Sequence, residues 1–220
     1  MAAKGNMRFA LTFCLVVTLS APALSGGAEK DSGTPWIVAA SIIRNGGPSG
    51  SGVYLKAGLI ITAAHLTDAD ANMGVHIAGV ALPASVVKQG SVEDVDLTLL
   101  SVDQEKLPAR IRQFQMQLCE APPWPGDPVI VVDAGKATRS HIIAAQVLPF
   151  AMRGKFSTLI GDVATTGNSG SGVFDPNRKC LLGIMSRKFM VGTAGGERDV
   201  AKYFVPATEI RDFIPLELRS

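Results

Sequence analysis

The sequence predicts an all-β fold. From Trp36 onward, short apolar runs rich in β-branched residues alternate with turn residues, and helical periodicity is almost absent. This pattern is typical of a β-sandwich or a β-barrel. The runs are WIVAASII, VYL, LIITAA, VHIAGVAL, SVVKQ and VDLTLLSV, followed by VIVV, SHIIAAQVLPF, FSTLIGDV, SGVF, CLLGIMS and KYFVP.

A stretch rich in proline and glutamine, near residues 105–120, interrupts this series of strands. Such a stretch is typical of a connector, so we expect two β halves, at about residues 36–108 and 120–207. The closing segment Thr208–Ile214 follows a strand and is predicted to form one short helix, with its threonine as the N-cap.

The N-terminal segment Met1–Ser25 has the pattern of a secretory signal peptide. Lys4 and Arg8 precede an apolar run of about 11 residues, and small residues follow it. The run is too short to span a bilayer, which takes about 20 residues. We therefore expect a cleaved signal, a secreted or periplasmic protein, and a flexible polar leader over residues 26–35.

The charge of the mature chain argues against several partners. The full chain has 21 basic and 19 acidic residues, and removal of the signal takes away two basic residues and no acidic one. The remainder is close to neutral and has no basic stripe. Neither nucleic acid nor, after signal removal, a membrane is therefore expected as a partner.

Cys119 and Cys180 are the cysteines that remain after the signal is removed. An even pair in an exported protein suggests one disulfide, and two buried free thiols are the alternative. One disulfide cannot by itself stabilise the whole fold. The mature chain of about 195 residues is long enough to bury a hydrophobic core instead.

The segment Thr165–Gly172, TTGNSGSG, is a tight polar loop between two apolar runs, where chemically useful side chains often lie. Acyl transfer needs a nucleophile and backbone N–H groups directed at the oxyanion. Here Ser169 would supply the nucleophilic Oγ, and the amides of Gly167 and Ser169 would form the oxyanion hole. Ser171 is the rival nucleophile. Taken alone, the loop also fits a tight hairpin or an anion-binding nest.

A serine nucleophile needs a base and a group that orients this base. His65 ends the run GLIITAAH, where a strand gives way to a turn of small residues, whereas His76 and His141 lie in the middle of predicted strands. His65 is therefore the candidate base. Asp96 directly precedes a buried strand and is the candidate orienting carboxylate, with Asp94, of the same strand parity, as the alternative.

In this order, GLIITAAHL, VDLTLL and TTGNSGSGVF resemble the motifs around the catalytic His, Asp and Ser of the trypsin-like serine proteases, which have the chymotrypsin fold. The resemblance covers residues 36–220, and the closing YFVPATEIRDFI is similar to the bacterial HtrA-like and glutamyl-endopeptidase branches. It implies two six-stranded antiparallel β-barrels with a short C-terminal helix. It also implies a catalytic triad of His65, Asp96 and Ser169 that forms an acyl-enzyme. Ser186 would support the buried aspartate and line the substrate cleft.

Departures from the family pattern carry information. Asn168 stands where animal digestive members have an aspartate that pairs with a newly cut N-terminus, so activation by cleavage should be unnecessary. Leu66 replaces a common cysteine, and the resemblance instead lets Cys119 and Cys180 join the connector to the hairpin after the nucleophile. Gly172 replaces the usual proline, a change that would loosen the loop.

Substrate preference follows from the positions that correspond to the family's pocket. Val163 lies at the pocket base, so a trypsin-like preference for Lys or Arg is not expected. Met185 stands where glutamyl endopeptidases have a histidine that recognises an acidic side chain. We therefore predict a small or medium apolar residue before the scissile bond. Arg187 and Lys188 follow on the strand along the cleft and are interpreted as solvated, with attraction of an acidic substrate side chain as the alternative.

The sequence thus predicts an exported serine endopeptidase that acts on protein or peptide substrates as a monomer. No metal or cofactor is expected, because the histidines are scattered and the cysteines lack metal-ligand spacing. An inactive protease-fold binding protein is the alternative, although such proteins usually lose a triad residue or the glycine of the hole. An esterase of another fold is disfavoured, because GNSGS lacks the final glycine of the G-x-S-x-G elbow. The chain leaves no room for a PDZ domain after Ser220, so a multidomain HtrA-type oligomer is not expected.

Overall fold

A computed structural model describes residues 35–161, 167–193 and 196–219. The predicted signal peptide and leader lie outside these residues, except for Pro35, which begins the 3-10 turn Pro35–Val38. Val163, the residue predicted at the base of the pocket, also lies outside them.

The first sheet of the described chain has seven antiparallel strands in the order β5-β4-β1-β2-β3-β7-β6. Its strands are β1 (Ala39–Arg44), β2 (Gly47–Lys56), β3 (Leu59–Thr62), β4 (Met73–Ile77), β5 (Val80–Pro83), β6 (Ser85–Gln89) and β7 (Thr98–Ser101).

The two edges of this sheet are consecutive in the chain. Only Ala84 separates β5 from β6, and its N–H donates to the carbonyl of Met73 at 2.9 Å. Strands β5 and β6 are therefore one strand bent at Ala84, which pairs with β4 before the bend and with β7 after it. Counted in this way, the sheet has six strands with both edges joined by the chain, in agreement with the predicted six-stranded barrel.

Three hairpins of the first sheet turn on two residues each, namely Asn45-Gly46, Ala57-Gly58 and Ala78-Gly79. All six residues have φ between 47° and 86°, the left-handed region that a type I′ turn requires. Glycine takes this conformation freely, whereas Ala57 and Ala78 hold a Cβ there at a cost.

The second sheet is a closed barrel in the order β10-β13-β12-β11-β8-β9. Its strands are β8 (Pro128–Val132), β9 (Ala137–Ile143), β10 (Leu159–Ile160), β11 (Gly172–Phe174), β12 (Leu181–Thr193) and β13 (Gly196–Pro206). The predicted all-β fold is confirmed, since the described helices are all short. They are α1 (Ala109–Arg112), α2 (Phe150–Arg153) and α3 (Ala207–Phe213).

The predicted C-terminal helix is present as α3, but its predicted N-cap is wrong. Pro206 ends β13 in an extended conformation, with φ −73° and ψ 160°, and occupies the N-cap position. The helix therefore begins at Ala207, and Thr208 lies inside its first turn. No helix among the described residues is long and apolar enough to cross a membrane.

The predicted disulfide joins Cys119 to Cys180, whose Cα atoms lie 5.1 Å apart. Beside it, the N–H of Cys119 donates to the carbonyl of Leu181 at 3.0 Å, and the N–H of Leu181 donates to the carbonyl of Gln117 at 2.8 Å. The bond thus ties the segment that precedes β8 to the hairpin between β11 and β12, as the resemblance implied.

Candidate active site

His65 lies on a 3-10 turn, Ala64–Leu66, that directly follows β3. Two hydrogen bonds accepted by the carbonyl of Ala64, one from Thr67 Oγ1 at 3.0 Å and one from Gln89 Nε2 at 3.2 Å, hold this turn against the sheet. The turn is anchored by buried residues on both sides of His65, yet the His65 side chain itself is 33% exposed. It can therefore contact a substrate.

Asp96 lies just before β7, and its side chain is 2% exposed. His65 contacts this carboxylate at two points: its backbone N–H donates to Oδ1 at 3.1 Å, and its Nδ1 lies 2.9 Å from Oδ2. The alternative carboxylate, Asp94, is exposed and does not contact His65. The other histidines, His76 on β4 and His141 on β9, are exposed on strands away from this pair.

Ser186, on β12, completes the surroundings of the aspartate. Its buried Oγ donates to Asp96 Oδ2 at 2.5 Å. Burial alone raises the pKa of Asp96, but the hydrogen bonds from His65 and Ser186 and the attraction of the His65 ring outweigh this effect. The pKa of Asp96 therefore lies below its ordinary value of 3.8, and the carboxylate is charged at neutral pH.

The loop that carries Ser169 is fixed to both barrels. The carbonyl of Ser169 accepts the N–H of Ser51, on β2, at 3.0 Å, and the N–H of Gly170 donates to the carbonyl of Met185, on β12, at 2.7 Å. Gly170 has φ +81°, and a Cβ at this position would collide with the carbonyl of Ser51, so only glycine fits. The rival serine, Ser171, is fully buried, whereas Ser169 is half-exposed.

The Ser169 hydroxyl points to the carbonyl of Ser186, with Oγ 3.4 Å from this oxygen. Among the described residues, it makes no hydrogen bond to His65. The sequence-predicted triad is thus brought together with its histidine and aspartate in direct contact and its serine on an adjacent loop.

Gly167, predicted to supply one amide of the oxyanion hole, is buried beside Ser171 and Val131. A Cβ at Gly167 would lie 2.7 Å from Ser171 Oγ and 2.8 Å from Val131 Cγ1, so a larger residue would have to displace these side chains. Within the described parts of the chain, neither the Gly167 nor the Ser169 amide donates to another residue. The carbonyl of Gly167 accepts a hydrogen bond from Lys202 Nζ at 2.7 Å.

Ser186 directs its side chain to the buried Asp96, the contact that the resemblance implied, and its carbonyl faces Ser169. One position on the strand along the cleft differs from its interpretation. Arg187 is half-buried rather than solvated, because its guanidinium lies over the Phe156 ring at 5.0 Å and donates to the carbonyl of Val92 at 2.8 Å. Lys188 is exposed, as predicted, and pairs with Asp199 at 3.0 Å.

An open groove of about 640 Å³ borders the other flank of Ser169. It is lined by Ser41, Pro48, Ser49, Gly50, Ser51, Leu66, Asp133, Ala134, Gly135, Asn168 and Ser169. Sequence reasoning missed both this groove and Lys202. The groove is lined by strands β1 and β2 together with the turn after β8 and the Ser169 loop, and the contact of Lys202 with Gly167 joins residues 35 positions apart.

Two barrels with a histidine–aspartate pair beside a glycine-rich serine loop define the class of chymotrypsin-fold serine proteases. Residues 50–184, more than half of the chain, match the family model of the trypsin-like peptidase domain. The chain belongs to this family, whose members are hydrolases with peptide substrates. Curated protein sequences offer no match to the chain.

Solved structures with the same fold come from distant proteins. The active form of the Rv3671c protease from M. tuberculosis is 16% identical, with a TM-score of 0.56 over 81% of this chain and 79% of that chain. The MamO protease domain from Magnetospirillum magneticum is 19% identical, with a TM-score of 0.57 over 84% and 99%. Kallikrein-related peptidase 10 is 17% identical, with a TM-score of 0.58 over 80% and 93%. At these identities, the similarity concerns the fold.

Proposed function

We propose that the chain is an exported serine endopeptidase in which Ser169 is the nucleophile, His65 the general base and Asp96 the residue that orients this base. The observation that carries the proposal is the Asp96 carboxylate, which is 2% exposed and accepts both the ring and the backbone N–H of His65. Burying a carboxylate costs free energy, and even a paired buried charge seldom stabilises a fold. The burial of Asp96 against His65 is therefore better explained by a function than by stability.

The contact between His65 and Asp96 determines which ring nitrogen acts. With the proton on Nδ1 and donated to Asp96, the His65 Nε2 atom keeps its lone pair. This lone pair would accept the Ser169 proton as the Oγ–C bond to the scissile carbonyl forms. The Ser169 hydroxyl would first have to break its hydrogen bond to the carbonyl of Ser186. This takes one rotation about the Cα–Cβ bond of Ser169.

The acyl-enzyme would form and break in two balanced steps. The oxyanion of the tetrahedral intermediate would be stabilised by the amides of Gly167 and Ser169, and His65 would return the proton to the leaving amine as the C–N bond breaks. Water would then attack the ester with His65 again as the base, which releases the acid product and restores the Ser169 hydroxyl.

Export is supported by two independent features. The segment Met1–Ser25 has the signal-peptide pattern, and Cys119 and Cys180 form a disulfide, a bond that persists in oxidising compartments. Secretion or periplasmic location is therefore part of the proposal.

One observation favours the alternative of an inactive protease-fold binding protein. The Ser169 hydroxyl donates to the carbonyl of Ser186 instead of to His65. If this hydrogen bond persisted in solution, Ser169 would not be activated.

A fluorophosphonate probe separates the two candidates. It forms an Oγ–P bond, with loss of fluoride, only at a serine activated by a base and an oxyanion hole. We expect labelling of Ser169 in the mature protein, none in Ser169→Ala, and unchanged labelling in Ser171→Ala if that variant folds. A folded wild-type protein without labelling would support the binding protein and overturn the endopeptidase.

A further inference from the structure

The groove beside Ser169 is almost free of charged side chains. Its volume of about 640 Å³ lies in the range of ligand pockets. Of the described residues that line it, Asp133 alone carries a charge, and the others are small, apolar or neutral polar residues. A single carboxylate in such a groove would therefore dominate its electrostatic preference.

The groove borders His65 through the neighbouring residue, Leu66. Leu66 lies on the same 3-10 turn as His65 and lines the groove, and Ser49, which also lines it, donates to the carbonyl of Leu66 at 2.8 Å. In the proposed mechanism, His65 returns the proton to the leaving amine, so this amine must lie within hydrogen-bond reach of His65. The groove therefore lies where the substrate portion after the scissile bond would be bound.

The substrate portion before the scissile bond has another place to bind. Ser169 Oγ lies 3.4 Å from the carbonyl of Ser186 on β12. Within the described ranges, β12 pairs with β11 as far as Ile184, and from Arg187 onward it pairs with β13 alone, so its other edge is open. An extended peptide can add to an open edge through main-chain hydrogen bonds. The acyl portion would lie on this edge, which leaves the groove to the leaving portion.

Asp133 directly follows β8 and is held at the groove by the turn that it caps. Val132, the last residue of β8, pairs in register with Gly172, so this end of β8 lies beside the loop that carries Ser169. Asp133 Oδ1 accepts two backbone N–H groups of its own turn, at 2.8 Å each. These bonds fix the position of the carboxylate before any substrate binds.

The other oxygen of this carboxylate is left for a ligand. Asp133 Oδ2 accepts no hydrogen bond from the described residues, and Asp133 forms no ion pair with them. Lys136, in the same turn, is exposed, and its hydrogen bonds with Asp133 use its backbone. Because Asp133 is only 8% exposed, solvent screens its charge less than that of a surface carboxylate.

We propose that Asp133 selects substrates with a basic side chain at one of the two positions that follow the scissile bond. This inference rests on the proposed endopeptidase function, and it leaves the preference predicted before the scissile bond unchanged. The ammonium or guanidinium group of the substrate would donate a charge-assisted hydrogen bond to Asp133 Oδ2. A neutral amide of similar length forms a weaker bond there, which is the source of the selectivity.

Peptides built around a bond that wild type cuts in an unfolded protein test the inference. One set varies the first position after this bond and a second set the next position, with Lys, Gln or Glu in turn, and kcat/KM is the readout. We expect wild type to prefer Lys over Gln by roughly tenfold in one set. In Asp133→Asn the preference should fall to near one, while the asparagine Oδ1 can still accept the N–H groups of the turn. The matched control is Asp127→Asn, because Asp127 caps the turn at the opposite end of β8, accepts the Trp124 N–H at 2.8 Å and lies outside the groove. Its Lys preference should equal that of wild type.

Labelling by a small, uncharged fluorophosphonate shows whether each variant retains the reactive loop. Asp133→Asn should be labelled like wild type, since this probe has no peptide that would enter the groove. A labelled wild type that cleaves Lys and Gln peptides equally in both sets would overturn the basic preference and leave the endopeptidase standing. Retention of the Lys preference in Asp133→Asn would overturn the role of Asp133. A wild type that is not labelled, or that cuts no unfolded protein, would instead overturn the proposed function, and the inference with it.

Discussion

At the residue scale, the proposed chemistry depends on a carboxylate that is almost entirely removed from solvent. The side chain of Asp96 is 2% exposed, and its carboxylate accepts hydrogen bonds from His65 and Ser186. Both His65 and Ser186 donate, so residue 96 must supply an acceptor to each of them. The side-chain amide of an asparagine at this position would place its NH₂ group, a donor, against at least one of them.

We predict that Asp96→Asn lowers kcat/KM by about 10³–10⁴-fold, because the amide favours the wrong tautomer of His65. The measurement is peptide hydrolysis by a variant whose circular dichroism spectrum is native. Asp94→Asn is the matched control, since Asp94 is exposed and does not contact His65, and its activity should equal that of wild type. Equal loss in both variants would contradict the assignment.

A second buried carboxylate links stability to pH. Asp175 accepts the backbone N–H groups of Asn177 and Arg178 at 2.8 Å each and the Nε of Arg178 at 2.5 Å. Burial raises the pKa of Asp175, and these hydrogen bonds lower it by more, to below its ordinary value of 3.8. The unfolded chain therefore binds this proton first on acidification, so the contribution is complete above about pH 4 and declines as the pH falls further.

Asp175→Asn should therefore lower the free energy of unfolding by about 1–2 kcal/mol at pH 6. This difference from wild type should shrink as the pH falls below about 4. Urea unfolding of both proteins between pH 6 and pH 3 measures it. A difference that stays constant over this range would show that the charge of Asp175 does not stabilise the fold.

The sequence indicated most of the candidate site because its residues lie in short contiguous motifs. His65 and Ser169 could be chosen from local context, but the choice of Asp96 over Asp94 depends on burial, which two residues of equal strand parity do not reveal. Lys202 could not be found, since its contact with Gly167 depends on the register between β12 and β13 and crosses 35 positions.

At the element scale, the β4–β5 hairpin carries a correctable strain. Ala78 has φ +50° in its two-residue turn, whereas the corresponding position of the β1–β2 hairpin is Asn45. Asparagine tolerates the left-handed region better than alanine and is preferred at this position of type I′ turns.

Ala78→Asn should therefore raise the free energy of unfolding by about 0.5–1 kcal/mol. Thermal unfolding is the measurement, and the turn lies on β4 and β5, away from His65, so activity should not change. Ala81→Asn, on β5 outside the turn, is the control and should give no increase. A destabilised Ala78→Asn variant would mean that the turn is not limited by its backbone conformation.

Strands were easier to predict than their ends. Apolar runs indicated where the strands lie, but not their limits. The single run VHIAGVAL covers most of β4, the turn Ala78-Gly79 and most of β5, whereas β5 and β6, which belong to separate runs, form one strand bent at Ala84. The N-cap of α3 was assigned to Thr208 by residue type, whereas the extended backbone at Pro206 determines where the helix begins.

At the scale of the whole molecule, Cys119 and Cys180 close a loop across 61 positions of the chain. A loop of this length lowers the entropy of the unfolded chain by an amount worth roughly 4 kcal/mol, although native-state effects usually reduce the gain. The double variant Cys119→Ala/Cys180→Ala should therefore lose about 2–4 kcal/mol of unfolding free energy. Reductant should destabilise wild type to a similar degree and leave the double variant unchanged; equal sensitivity of both would contradict the role of this bond.

The hydrogen bonds between the barrels also bear on how a cell makes this protein safely. Ser51 of the first barrel fixes the Ser169 carbonyl, and Ser186 of the second barrel fixes Asp96 of the first. A chain with only one barrel folded lacks these contacts, so under the proposed endopeptidase function a half-made or partly unfolded molecule would not cleave other proteins. Activity would then begin only once both barrels are folded, which would protect neighbouring chains during biosynthesis.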